Sequence, residues 1–118
     1  MKTELRSRTL IAHIDGELDH YSASDIRKKL DREIAGRTVK NLIFDFSDLA
    51  FMDSSGLGVI IGRYKKMKEK NGTVLLVCNK AHVDKLLTVS GLKKLLGVNK
   101  SVESAMKKIQ GRESNESR

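Results

Sequence analysis

The chain has no proline and no tryptophan, a single cysteine, and only two tyrosines and three phenylalanines among 118 residues. Each shortage narrows what it can be. Without proline, helices must be stopped by glycine, asparagine or aspartate. With aromatics at 4%, leucine, isoleucine and valine must build the core. One cysteine excludes an internal disulfide, and Cys78, which follows Leu75, Leu76 and Val77, reads as a reduced, buried structural thiol at a strand end. No apolar run approaches the ~20 residues that span a bilayer, so no membrane partner is expected. Lys2, Glu4, Arg6 and Arg8 interrupt the region where a secretory signal needs an apolar stretch. The expectation is a cytoplasmic protein.

Charge is what the chain has in quantity. Lysine and arginine number 23 against 15 acidic residues, a net charge of +8. The cations fall in short runs: Arg63, Lys65, Lys66, Lys68 and Lys70, then Lys93 and Lys94, then Lys107 and Lys108. Such runs read as solvated helix faces. A nucleic-acid module would add stacking aromatics or a recognition motif; neither is present, so no nucleic-acid partner is expected. An acidic protein partner or an anionic surface makes better use of the charge. A hydrophobic share of 39% supports one packed core, and the length suits one domain rather than two.

Hydropathy patterning orders the elements. Glu4 to Arg6 and Thr9 to Gly16 read as strands joined by a hairpin at Arg6-Ser7-Arg8. Gly16 to Tyr21 reads as a loop. Ser22 or Ser24 can cap a helix carrying Ile26, Leu30 and Ile34, ended by Gly36. Asn41 to Phe46 reads as a central strand buried on both faces. A helix follows from about Ser55 to Lys70, stopped by Asn71-Gly72, then an apolar strand from Thr73 to Cys78 and a short helix from Ala81 to Ser90 broken by Gly91. Leu95 to Val98 reads as a short edge strand. Ser101 to Ile109 reads as a last helix with Val102, Ala105, Met106 and Ile109 on one side. The alternation implies an α/β fold with a parallel or mixed sheet covered by helices. The domain is expected over 1–110, with a disordered polar tail over 111–118.

One stretch concentrates the chemistry: Leu49-Ala50-Phe51-Met52-Asp53-Ser54-Ser55-Gly56-Leu57-Gly58, where a strand hands over to a helix. Aspartate and serine are preferred helix caps, and Gly56 permits a tight turn. The same position suits a phosphoacceptor, because the exposed N–H groups and dipole of a helix start favour negative charge. A nucleophilic serine lacks a partner: the three histidines His13, His20 and His82 sit in no motif, and Gly-x-Ser-x-Gly is absent. The glycines Gly56, Gly58 and Gly62 invite a dinucleotide reading, but the third glycine comes one place late and the next strand, ending at Val77 and Cys78, carries no acidic tip. Gly58 and Gly62 are instead expected to let the helix lie close on the sheet. No cluster has metal-ligand spacing, so neither metal nor cofactor is expected. The acidic loop Gly16-Glu17-Leu18-Asp19-His20 reads on its own as a turn with solvated carboxylates.

Taken together, Gly16-Glu17-Leu18-Asp19-His20 and Phe51-Met52-Asp53-Ser54-Ser55-Gly56-Leu57-Gly58-Val59 resemble the anti-sigma factor antagonists of the STAS domain family. The continuation Ile60-Ile61-Gly62-Arg63-Tyr64-Lys65 is most like the sporulation-type antagonists of spore-forming Firmicutes, and Ser90-Gly91-Leu92 resembles the family's C-terminal segment. The likeness runs from about Leu5 to Ile109. It implies a single STAS-like domain with a four- to five-stranded mixed sheet and helices mainly on one face, and no enzymatic activity. It implies a partner that is both anti-sigma factor and serine kinase, whose binding frees a sigma factor. That kinase phosphorylates the first serine of the pair, Ser54 here, with its own ATP and Mg²⁺, and a metal-dependent phosphatase of the PP2C type reverses the step. Asp19 matches the family's kinase-contacting acidic residue. Glu17, His20, Met52, Asp53, Ser55, Gly56 and Leu57 complete the expected partner surface, with Met52, Gly56 and Leu57 as its apolar or small patch. The free protein is expected to be a monomer. Tyr21 departs from the pattern, standing where relatives often carry a second histidine. The alternatives are a small nucleotide-binding domain, or a constitutive STAS scaffold in a sensory assembly.

Overall fold

The computed structural model describes residues 1–36 and 38–116. In chain order the elements are β1 (Lys2–Arg6), β2 (Thr9–His13), β3 (Gly16–Leu18), α1 (Ala23–Gly36), β4 (Asn41–Asp45), β5 (Leu49–Met52), α2 (Ser54–Glu69), β6 (Val74–Val77), α3 (Ala81–Val89), α4 (Leu92–Leu96), β7 (Val98–Asn99) and α5 (Val102–Glu116). Five strands form one sheet in the order β1-β2-β4-β6-β7. The β1–β2 hairpin is antiparallel, and every other pairing in the sheet is parallel. The mixed sheet follows from the connections: a short turn through Ser7, at φ 54°, joins β1 to β2, whereas helices carry the chain between parallel neighbours.

Period-two alternation sorts the strand residues between two faces. Leu10, Ala12, Leu42, Phe44, Val74 and Leu76 point to one side and pack with Leu30 and Ile34 of α1, Val59, Ile60 and Met67 of α2, Val83 and Leu87 of α3, and Leu92 and Leu96 of α4. Ile11, Ile43, Leu75 and Val77 point to the other, where α5 covers them with Ala105, Met106 and Ile109. Each fully buried leucine, isoleucine or phenylalanine here contributes roughly 1.5–3 kcal/mol. Four helices on one face and one on the other is the architecture the family resemblance implied. Phe44 and Phe46 stack 5.7 Å apart in the larger core, which is where two of the three phenylalanines go. Cys78 is buried just beyond β6, with its thiol 3.6 Å from the Lys80 carbonyl, and burial raises its pKa.

The structure revises several expectations of the fold. The edge strand expected over Leu95 to Val98 is Val98–Asn99 instead; Leu95 and Leu96 close the helix Leu92–Leu96, in which Leu92 and Leu96 at spacing four both reach the core while Leu95 is exposed. The acidic loop contains a short strand, β3, paired in parallel with β5 in a small separate sheet. The last helix does not end at Ile109 but runs through Gly111 to Glu116, where a disordered tail was expected; residues 117–118 lie outside the described residues. Finally, Gly58 and Gly62 are not the close-packing glycines. A Cβ on either meets nothing within 4 Å, whereas one on Gly56 would lie 2.5 Å from the Met52 Cγ.

Candidate phosphoacceptor and partner-binding site

Asp53 builds the site. The β3–β5 pairing carries it to the N-terminus of α2, where its extended backbone (φ −114°, ψ −170°) makes it the N-cap. Its Oδ1 accepts the Ser55 N–H at 2.8 Å, satisfying one of the donors that a helix start leaves open. Its Oδ2 accepts the His20 N–H at 3.2 Å, and its own N–H donates to the Leu18 carbonyl at 3.3 Å. One side chain therefore serves two segments 33 residues apart: it caps the helix and fastens the acidic loop to it.

Ser54, the first residue of α2, is exposed. A group on its side chain stands at the positive end of a sixteen-residue helix, where the helix dipole favours the negative charge of a phosphate. Ser55 is half-buried. The helix begins one residue earlier than the pattern suggested, so that Asp53 takes the cap and Ser54 is free of that duty.

The acidic loop is closed from within. The Asp19 Oδ1 accepts the N–H groups of Tyr21 at 2.9 Å and Ser22 at 3.0 Å, while the Ser22 hydroxyl donates to the Glu17 carbonyl at 2.7 Å and accepts the Asp19 N–H at 3.0 Å. Those backbone bonds, the one from Ser22 foremost, hold the Asp19 carboxyl below the usual carboxylate range. Ser22 stands directly before α1, but its hydroxyl serves the loop, and Ser24 lies inside the helix. Glu17 and His20 are exposed, as a contact surface requires.

Met52 and Gly56 are not surface residues. Met52 is 5% exposed and belongs to the core, with Gly56 buried against it and Leu18; Leu57 is half-buried and packs on the same core. They support the helix start from beneath. The exposed apolar groups near the site are Tyr21, at 89%, Phe51, at 46%, and Ile61, at 39%. Of these, Tyr21 packs edge-on against His20 with ring centroids 5.6 Å apart. The sequence pattern does not mark Phe51 as a surface residue because β5 departs from strand alternation: the neighbours Ala50 and Phe51 are both exposed, between buried Leu49 and Met52. His82, at the start of α3, lies with its Nε2 2.9 Å from the Ala50 carbonyl and ties that helix to β5.

A mixed five-stranded sheet with this cap–loop arrangement defines the protein class, and sequence comparison agrees. The STAS domain family model matches residues 1–105, and the chain belongs to that family. It is 36% identical over 101 residues to the anti-sigma F factor antagonist of Paenibacillus polymyxa, covering 86% of each chain. Among solved structures it is similar to the unphosphorylated form of the anti-sigma factor antagonist SpoIIAA (28% identity, TM-score 0.74, 93% of this chain and 97% of that one). It is also similar to the phosphorylated form of the Bacillus cell fate determinant SpoIIAA (30% identity, TM-score 0.73, 92% and 97%). Among the described residues, no helix is long and apolar enough to cross a membrane.

Proposed function

We propose that this chain is an anti-sigma factor antagonist of the sporulation type, a cytoplasmic binding protein switched by phosphorylation of Ser54. The observation that carries the reading is the exposed Ser54 at the α2 start, fastened through Asp53 to the acidic loop so that both form one surface. Similarity to two SpoIIAA structures, one unphosphorylated and one phosphorylated, supports it. The partner is an anti-sigma factor that is also a serine kinase. It must bring its active site to the Ser54 hydroxyl, so its docking surface surrounds that residue: Glu17, His20 and Tyr21 on one side, Phe51 and Ile61 as apolar contacts, Ser55 and Leu57 along the helix. Asp19 acts by holding the loop in shape.

Phosphorylation adds about −1.5 to −2 charges at neutral pH. The helix start accommodates this charge in the free protein, so little backbone movement is expected. In the complex the same dianion sits inside a closed interface, where an uncompensated or clashing charge costs several kcal/mol and each ~1.4 kcal/mol is tenfold in affinity. A PP2C-type phosphatase restores the binding form. Incubation with the cognate kinase and ATP, followed by peptide mass spectrometry, should place one phosphate on Ser54; phosphate on Ser55 alone would refute the assignment. Ser54→Ala should hold the kinase without release, and Ser54→Asp should bind at least tenfold more weakly. Equal binding by both variants and the wild type would end the switch reading.

A further inference from the structure

On the sheet face that α5 covers, opposite α2, His13 at the end of β2 lies between two carboxylates. Its Nδ1 is 2.7 Å from the Asp45 Oδ2 on β4, and its Nε2 is 2.8 Å from the Glu4 Oε1 on β1. A neutral imidazole has one N–H and one lone pair, so it can donate to only one of them; the other contact would set a lone pair against an acceptor. Both carboxylates are already committed as acceptors. The Asp45 Oδ1 takes the Ser47 N–H at 3.0 Å and the Ser47 hydroxyl at 2.6 Å. Glu4 takes the Arg6 guanidinium at 3.3 Å, and Arg6 reaches on to Glu103 of α5 at 2.9 Å. The arrangement is satisfied throughout only when the ring carries both protons.

We propose that Glu4–His13–Asp45 is a proton-dependent clamp, in which a doubly anchored imidazolium fastens the edge strand β1 across β2 to β4 and releases one carboxylate when it deprotonates. β1 has one neighbour in the sheet, so a cross-link over β2 adds a second point of attachment. The Arg6–Glu103 pair extends the chain of contacts to α5.

The cleft beside the ring, about 800 Å³ and open to solvent, brings further charge to bear. Lys2 stands opposite His13 in the β1–β2 register. The amino group of Met1 pairs with Asp15 at 3.1 Å, and Asp48 also lines the cleft. Among the described residues of α5, Glu103 bears on the ring's partners, through Arg6. Burial opposes the charge on the ring, but the hydrogen bonds to Glu4 and Asp45 and their negative charge outweigh it, and the His13 pKa is raised. Glu4 is correspondingly lowered, first by its bond from His13. A histidine raised on folding stabilises the fold fully below its ordinary pKa of about 6.5, and this stabilisation disappears as pH rises through the folded value.

Two-bond ¹H–¹⁵N spectra of the wild-type imidazoles should show His13 as imidazolium at pH 6, titrating above the free-histidine value. Urea denaturation from pH 6 to 9 should show a loss of stability that His13→Gln lacks, whatever that variant's absolute stability. Protection factors of the β1 amides, which remove the intrinsic rise of exchange with pH, should fall over the same range in the wild type and stay level in His13→Gln. A neutral, single-tautomer ring at pH 6, or parallel pH profiles for wild type and His13→Gln, would overturn the proposal.

Discussion

At the scale of single residues, Asp53 does two jobs and Gly56 makes room for them. Replacing Asp53 by alanine removes the acceptor for the Ser55 N–H and the anchor of the His20 N–H together. The expected cost is about 1–2 kcal/mol, the upper part of the range for losing a cap. Faster amide exchange at His20 and Tyr21 should accompany it, which urea denaturation and exchange measurements check together. The glycines of α2 offer a paired test. Gly56→Ala pushes a methyl to 2.5 Å from the Met52 Cγ and 3.0 Å from the Leu18 Cγ, and should destabilise by about 1–3 kcal/mol, the usual penalty for overpacking. Gly58→Ala, with nothing within 4 Å and an exposed helical position, should stabilise by roughly 0.5–1 kcal/mol. The sequence shows three glycines within seven residues, Gly56, Gly58 and Gly62, and does not say which of them packs closely. What separates them is whether β5 lies beneath, and that depends on a pairing with β3 that no local pattern announces.

At the scale of elements, the long strands and helices were legible because each repeats its pattern often enough. Asn41 to Phe46 is apolar or buried at every position, and α2 keeps its inward residues over four turns. The short elements were not. Leu92–Leu96 and Val98–Asn99 are too brief for periodicity to tell helix from strand, and β3 is three residues whose partner lies more than thirty positions away. The junction after α2 is set by contact as much as by turn chemistry. Asn71 takes the left-handed conformation (φ 58°), and Gly72 lies where a Cβ would stand 1.8 Å from the Lys40 carbonyl oxygen. Because that neighbour is backbone leading into β4, it cannot move aside. Gly72→Ala should therefore cost about 3 kcal/mol or more, at or beyond the top of the overpacking range, measurable as a shift in the urea midpoint with unchanged slope.

At the scale of the whole molecule, charge and pH act together. Glu4, Asp15, Asp19 and Asp45 all have carboxyl pKa values lowered in the fold: Glu4 and Asp15 by hydrogen bonds from His13 and the amino terminus, Asp19 by backbone bonds from Ser22 and Tyr21, Asp45 by Ser47 and His13 against the opposing effect of burial. Carboxylates lowered on folding contribute stability above their ordinary pKa, about 4, and lose it as pH falls through the folded values. The chain already carries +8, and protonating carboxylates increases that self-repulsion. Denaturation midpoints should accordingly fall from pH 6 towards pH 3, and added salt should recover part of the loss at low pH by screening. Stability unchanged by salt under acid conditions would show that the net charge is spread too thinly to matter.

By itself the sequence determined the alternation of strands and helices, the faces each turns inward, the helix start at the serine pair and, through family likeness, the candidate roles of Ser54 and Asp19. These rest on local chemistry: period, cap and turn residues act over a few positions and are written in consecutive letters. Only the tertiary structure decided that Met52 and Gly56 lie beneath the site while Tyr21 and Phe51 face out, that Asp53 binds the acidic loop, and that His13 sits between Glu4 and Asp45. Each of the last two depends on groups more than thirty residues apart meeting within 3.2 Å, and such a distance exists only once the sheet has set its strand order and register.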